Sequence, residues 1–243
     1  MTKRDSIYSQ PVKAVKDFAF DEQVASVFPD MIKRSVPGYS SVIAMTGVLA
    51  GQYAQKNSNC YDLGCSLGES TYAMMQQVKS PGCKIIGVDN SPQMLEKCQR
   101  NLSVQPSQNE FQLICDDILN VELRDASVVV LNYTLQFINI GQREKFIEKV
   151  YQNLRPGGIL LLSEKIKFSD AEKDKRMIEM HHQFKKANGY SDLEISQKRT
   201  ALENVLLPET IDDHTNRLTT AGFKYIDIWF QCFNFISLIA QKP

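Results

Sequence analysis

Five positions that follow apolar runs carry the first chemical signal. Asp62-Leu63-Gly64-Cys65-Ser66-Leu67-Gly68 closes one such run, and Asp89, Asp117, Ile118 and Asn132 end or follow three others. Glycine takes backbone conformations closed to other residues and lets a ligand approach closely. Asp89 lies 21 residues beyond Gly68, close to the interval of about 20 expected for an acid that holds a ribose. A carboxylate there can accept from both ribose hydroxyls, although Asp89-Asn90 is also a good strand-end turn. Asp117 fits an adenine amino group or an Asp-Asp turn about equally. The loop itself excludes two cofactor classes. It lacks Gly-Lys-Ser/Thr, so it is no P-loop. Ser66 and Leu67 stand where a dinucleotide loop must stay open for pyrophosphate. An acid before the loop, Asp62, suits a cationic, amino-acid-like ligand better than a phosphate.

Other candidates read as structural. His181 and His182 are adjacent, so on a helix they point about 100° apart and cannot share a metal. Both are expected on a helix surface or lid, and His214 is expected to be exposed. Cys65 has no companion base for nucleophilic use. The six cysteines contain no Cys-x-x-Cys, which argues against structural zinc or a disulfide framework. Trp229 reads as core or interface. Lys198-Arg199 reads first as a solvated helix face. Tyr39 reads first as an aromatic packing on the core at a helix start.

These positions need a scaffold, and the chain supplies an alternation. Cys60–Leu63, Lys84–Asp89, Phe111–Cys115, Ser127–Asn132 and Ile159–Ser163 read as strands. Helices fall between them over Glu69–Val78, after Ser91-Pro92, and around Phe146–Leu154. Ser91 is a good N-cap and Pro92 suits the first helical turn. Arg155-Pro156-Gly157-Gly158 reads as the turn before the fifth strand. Repeated β-α units imply a parallel sheet with right-handed crossovers. Ligands then bind at the C-terminal ends of the strands. Two helices precede the first strand, with Pro29 expected to interrupt the earlier one. Residues 169–206 have helical spacing, with a capping box at Ser191 and Glu194. Two β-rich runs, Phe223–Phe230 and Phe233–Ala240, are joined by a link so short that it favours antiparallel pairing. The expected architecture is α/β and Rossmann-like: a mostly parallel seven-stranded sheet with an antiparallel last strand. It is one domain, divided into a helical cap (1–56), a cofactor-binding core (57–165), a helical insertion (166–208) and a C-terminal helix with strands (209–243).

Composition narrows the function classes. The chain has 243 residues, 28 Lys+Arg against 28 Asp+Glu, and 43% hydrophobic residues. Such a chain can bury a core, and its zero net charge argues against a large sequence-independent nucleic-acid surface. No run approaches the ~20 apolar residues of a membrane span. Met1-Thr2-Lys3-Arg4-Asp5 leads into no apolar signal region, so a cytoplasmic location is expected.

The loop and Gly157-Gly158 together resemble the class I S-adenosylmethionine-dependent methyltransferases over about residues 58–165. Further segments sharpen this. Arg34-Ser35-Val36-Pro37-Gly38-Tyr39, Tyr61–Gly68, Leu135-Gln136-Phe137, Ala187-Asn188-Gly189-Tyr190-Ser191, Ile195-Ser196-Gln197-Lys198-Arg199 and Trp229–Phe235 resemble the carboxy-S-adenosylmethionine synthase family nearly end to end. That resemblance implies a methyltransferase fold that is not a methyltransferase. Family members convert S-adenosyl-L-methionine and prephenate into carboxy-S-adenosyl-L-methionine and phenylpyruvate. A partner tRNA carboxymethyltransferase then uses the product on the wobble uridine. The family is homodimeric, and no direct tRNA binding, membrane or metal is implied. Position by position, the resemblance assigns ligand binding to Tyr39, Gly64, Cys65, Ser66, Asp89, Asn90, Asp117, Ile118, Asn132 and Arg199. Tyr39 thereby moves from core to site. Arg199 and Tyr39 are the catalytic candidates, because a guanidinium is a planar, permanently charged fork for a carboxylate. Two other readings remain: a conventional methyltransferase of a small molecule or RNA, and a non-catalytic S-adenosylmethionine-binding module.

Overall fold

The computed structural model describes residues 3–105 and 109–243, so Met1 and Thr2 of the N-terminal run lie outside it. Two helices come first, α1 (Glu22–Ser35) and α2 (Tyr39–Tyr53). Asp21 caps α1 by accepting from the Val24 N–H. Pro29 does not interrupt α1 as expected; the helix runs through it. A proline inside a helix costs about 3 kcal/mol, but α1 buries Val24, Ala25, Val27 and Met31 against Phe18, Leu67, Met94 and Ala201. That packing holds the turn closed without the missing hydrogen bond.

The alternation then unfolds as expected: β1 (Asn59–Leu63), α3 (Glu69–Gln77), β2 (Lys84–Asp89), α4 (Pro92–Ser103), β3 (Phe111–Cys115), β4 (Ala126–Asn132), α5 (Ile140–Asn153) and β5 (Leu154–Lys165). Next come α6 (Ala171–Ala187), α7 (Asp192–Leu202) and α8 (Ile211–Ala221), then the hairpin β6 (Tyr225–Cys232) and β7 (Phe235–Gln241). The seven strands lie in the order β3-β2-β1-β4-β5-β7-β6. All pairs are parallel except those of β7, which runs antiparallel to β5 and β6. β4 sits at the centre and is buried from Ala126 to Leu131, as a strand covered on both faces must be. One apolar cluster fills each face of the sheet. Ser91 caps α4, and reciprocal boxes at Ser191/Glu194 and Thr210/Asp213 start α7 and α8.

Two further expectations need correction. Arg155–Gly158 is not a turn before a strand starting at Ile159; β5 begins at Leu154. Gly157 takes φ +76°, and the register shifts beside Ala126. The chain end supplies the missing pairing, because Gly157 N–H donates to Lys242 O and Lys242 N–H donates to Gly158 O. His214 is not exposed; α8 turns it inward to 1% exposure. It stacks into a buried charge cluster, with Nδ1 at 3.4 Å from Arg217.

That cluster locks the sheet's C-terminal edge. Arg143 is fully buried and pairs with Glu209, whose other oxygen takes Arg217. Arg143 also donates to the carbonyls of Ile138, Gln136 and Leu207 at 2.9, 3.1 and 2.9 Å. Removing one partner of a buried pair strands the other charge, a loss of about 3–5 kcal/mol. Arg143→Ala should therefore lower the unfolding free energy by about that amount, read by urea denaturation. A loss under 1 kcal/mol would show that the cluster is not holding this edge.

Candidate active site

A cavity of about 480 Å³ opens at the C-terminal ends of β1, β2, β4 and β5. That is the size of a small-molecule site. Its floor is the loop after β1. Gly64 takes φ +86°, and a Cβ there would meet Thr134 Oγ1 at 2.3 Å. The N–H groups of Gly64 and Cys65 both donate to Val88 O, at 2.8 and 2.9 Å. Ser66 follows at φ +51°. Its N–H donates to Asp89 Oδ2 at 2.9 Å, and the Ser91 N–H donates to Asp89 Oδ1 at 2.9 Å. Asp89 thus ties the loop to the start of α4. Each of its oxygens keeps one lone pair for a ligand hydroxyl, and burial pushes its pKa up.

Asn90, Asp117, Ile118 and Asn132 line the same cavity. Asp117 uses one oxygen for the Leu119 N–H, at 2.9 Å. The Asn132 amide is committed to the protein. Its nitrogen donates to Ser70 and Thr46 Oγ atoms, at 2.9 and 3.2 Å, and its oxygen accepts from Ser163 Oγ at 2.7 Å. It pins α2, α3, β4 and β5 together beside the ligand space. Tyr39 packs against the core as first read and also lines the cavity. Its ring packs 6.1 Å from Tyr133, and its hydroxyl lies near the Glu69 carboxylate. Burial and the Glu69 and Asp62 carboxylates hold the Tyr39 phenol well above its usual pKa.

Cys65 is buried. Its contact with the Cys98 thiol and its burial raise its pKa well above the free value, so it is a neutral wall. Asp62 does not reach the cavity. It is 1% exposed and accepts from Thr71 Oγ1 at 2.6 Å. The acid that faces the ligand space at the start of α3 is Glu69, which the sequence reading missed.

The helices of residues 169–206 cover the cavity from the other side. His181 and Lys198 are not on a solvated surface as expected; both are buried. The His181 Nε2–H donates to Ser35 O at 2.7 Å, and its ring packs edge-on to Phe235 at 4.8 Å. Burial and Lys185 keep His181 neutral far below its usual pKa. Lys198 donates to Ser35 Oγ at 3.1 Å and faces Asp5 at 3.6 Å. Arg199, one residue on, is exposed. It lines a separate open depression with His182, Asp174 and Phe168. Among the described residues no group of three or more His, Cys, Asp or Glu side chains is placed to hold a metal. No helix of the described residues is long and apolar enough to cross a membrane.

A family model described as a methyltransferase domain matches residues 61–158. The chain is 52% identical over 240 residues to the carboxy-S-adenosyl-L-methionine synthase of Photorhabdus laumondii, covering 99% of this chain and 95% of that one. It is 53% identical to the synthase of the same name from Yersinia pestis, over 99% of this chain and 90% of that one. The chain belongs to the carboxy-S-adenosyl-L-methionine synthase family. Among solved structures, an O-methyltransferase family protein from Burkholderia thailandensis superposes with a TM-score of 0.63 at 16% identity, over 92% of this chain and 61% of that one. Human N-acetylserotonin methyltransferase gives 0.58 at 19% identity, over 91% of this chain and 55% of that one. These likenesses establish the class I methyltransferase fold.

The cavity chemistry fits S-adenosyl-L-methionine. Carboxylates from Glu69 and Asp89 line it, and the Gly64 cradle admits no side chain. Gly64→Ala would meet Thr134 and be strained at positive φ. It should weaken S-adenosyl-L-methionine binding by more than about tenfold in calorimetry, since a few kcal/mol of strain is involved. Asp62 gives a stability test. Burial raises its pKa from 3.8 to about 6, so the folded chain holds a proton that the unfolded chain has released. Wild-type stability should therefore fall as pH rises from about 4 to about 6, by up to about 3 kcal/mol relative to Asp62→Asn. Parallel denaturation series for the two proteins would check this, and coincident pH profiles would refute it.

Proposed function

We propose that this chain, as a carboxy-S-adenosyl-L-methionine synthase, binds S-adenosyl-L-methionine as a substrate in the cavity and carboxylates its methyl group with carbon dioxide from prephenate. The observation that carries this reading is the 52% identity over 99% of the chain to a curated synthase, joined to a cavity lined by Glu69 and Asp89 on one side and by Lys165, Lys185 and Lys198 on another. In this reading Asp89 receives the ribose hydroxyls, Asp117 and Ile118 flank the adenine, and Gly64, Cys65, Ser66, Asn90 and Asn132 shape the walls.

The chemistry balances without a metal or an oxidant. Aromatisation of prephenate breaks its ring–carboxylate bond and expels the ring hydroxyl. Phenylpyruvate, carbon dioxide and hydroxide result. The sulfonium acidifies the methyl group, and hydroxide takes one methyl proton to give water. The ylide carbon then bonds to carbon dioxide, and a carboxylate stands beside the sulfonium. Water must be kept from the ylide, and the cover of α6 and α7 serves that need. Tyr39 donates a hydrogen bond at the methyl end in this scheme. Arg199 clamps the new carboxylate. It is exposed and faces outside its own cavity, which favours its supply to a second copy in a homodimer. The product then goes to a tRNA carboxymethyltransferase in the cytoplasm, with no direct tRNA contact by this chain.

Incubation with S-adenosyl-L-methionine and prephenate should yield a nucleoside heavier by one carbon dioxide, with phenylpyruvate. Formation of S-adenosylhomocysteine with some methyl acceptor, and no such gain, would instead favour a conventional methyltransferase. Arg199→Ala should weaken carboxy-S-adenosyl-L-methionine far more than S-adenosyl-L-methionine, by about 10- to 100-fold for the loss of a bidentate charged contact. Equal weakening of both ligands would remove the clamp from the scheme.

A further inference from the structure

The cavity has an electrostatic asymmetry that its S-adenosyl-L-methionine end does not use. Glu69 and Asp89 line one part, from α3 and the end of β2. Lys165, Lys185 and Lys198 line another, from the end of β5, from α6 and from α7. β2 and β5 are three strand spacings apart in the sheet, so Asp89 and Lys165 start about 14 Å from each other along its C-terminal edge. The wall beside the lysines is apolar and flat-sided: Val36, Tyr133 and Phe235 pack with Ile32 and Tyr39.

Charge counting isolates two of the lysines. Asp30 pairs with Arg34 at 3.1 Å, and Asp5 faces Lys198 at 3.6 Å. Those two acids are thereby matched by two bases. Lys165 Nζ and Lys185 Nζ make no hydrogen bond or ion pair with any described residue, and Lys185 is only 9% exposed. The groups that act on Lys165 are Arg199 and, in opposition, Asp174. Those that act on Lys185 are Lys165, Lys198 and Arg199, all of the same sign. Burial first and these neighbours second pull Lys185 down to about 7. An ammonium largely withdrawn from water with no counter-ion is costly unless a ligand supplies the charge. Tyr133 adds a polar atom in the same state. Its hydroxyl is buried without a partner, and the residue is held at φ +60°.

We propose that Lys165 and Lys185, with Lys198 beside them, form a subsite that binds the two carboxylates of the second substrate, its ring lying on the Tyr133–Phe235 wall. Two unmatched ammonium groups meet a dianion. The subsite sits at the end of β5, so it presents that ring system to the methyl end of the first substrate. The proposal rests on the reading that the carboxyl donor is a cyclic dicarboxylate, prephenate.

The test uses full-length protein and separates the two ideas. Prephenate binding is measured by calorimetry on protein saturated with S-adenosylhomocysteine, where no turnover occurs. Turnover is measured separately with S-adenosyl-L-methionine. Lys185→Met and Lys165→Met should each raise the prephenate Kd and KM by about 10- to 100-fold, the worth of a charged hydrogen bond. The Kd values of S-adenosyl-L-methionine and carboxy-S-adenosyl-L-methionine should stay within about twofold, and Lys185→Arg should recover most of the loss. The melting temperature of unliganded Lys185→Met should be unchanged or higher, because an unpaired buried charge is gone; a structural lysine would lower it. Unchanged prephenate Kd and KM in both Met variants, with wild-type turnover intact, would overturn the subsite and leave the carboxylation reading standing. A parallel loss of S-adenosyl-L-methionine affinity would also overturn it, by assigning the lysines to the methionine carboxylate. Wild-type protein that neither binds nor converts prephenate would overturn both.

Discussion

The Glu164 carboxylate accepts the backbone N–H groups of Leu135 and Gln136, one on each oxygen, both at 2.9 Å. Much of the cavity depends on that contact. Glu164 is 1% exposed, and burial pushes its pKa up to about 8 while Arg143 and the two N–H groups oppose the shift. The turn after β4 is thereby fixed to β5. Gln136 extends the lock: its side chain donates to Tyr133 O at 3.2 Å and accepts from the Lys165 N–H at 3.0 Å. Its own carbonyl accepts from Leu207 and Arg143. Tyr133 in its left-handed conformation, Lys165 at the strand end and the chain leading to α8 are all set from one buried carboxylate.

A second carboxylate does the same work on the other half. Asp89 holds the Gly64 loop to α4 through Ser66 and Ser91. The two acids satisfy backbone donors that strand ends leave open, and a buried donor without a partner would cost about 1–3 kcal/mol. The cavity is therefore rigid on its sheet side. Its cover is of another kind. α6 and α7 meet α1 and the N-terminal segment through polar contacts added to the apolar cluster around Phe18 and Ala201. Gln197 donates to Tyr8 and Gln10 carbonyls, and Arg34 lies 3.8 Å over the Tyr190 ring while donating to Asn188 O. Such contacts hold two segments far apart in sequence, residues 5–35 and 188–198, in one position over the cavity.

Much of the scaffold was legible in the chain. Most strand ends, the Ser91 cap, the Ser191/Glu194 capping box and the hairpin follow from local rules, since each depends on residues within a few positions of one another. The Gly64 loop and Asp89 were legible for the same reason. Pro29 was misread because its cost is local but the packing that outweighs it is not. His214 was misread because Arg143, which completes the buried cluster around it, comes from a distant part of the chain. Glu69 was missed because an acid in the first turn of a helix is a common favourable feature, and nothing local says that it faces a cavity.

Lys198 and Arg199 mark the boundary most clearly. Two adjacent cations on a helix point about 100° apart, so the sequence determines that they diverge and that both are charged. It does not determine which one faces inward. The docking of α7 on Ser35 and Asp5 decided that, burying Lys198 and leaving Arg199 outside. His181 and His182 divide in the same way on α6. By itself the sequence determined the α/β order, the glycine turn and the acids at strand ends, because backbone chemistry and periodicity act at short range. Only the tertiary structure gathered Lys165, Lys185 and Lys198 from three elements around one cavity, because unpaired charge is a property of what surrounds a side chain, and the chain order does not state it.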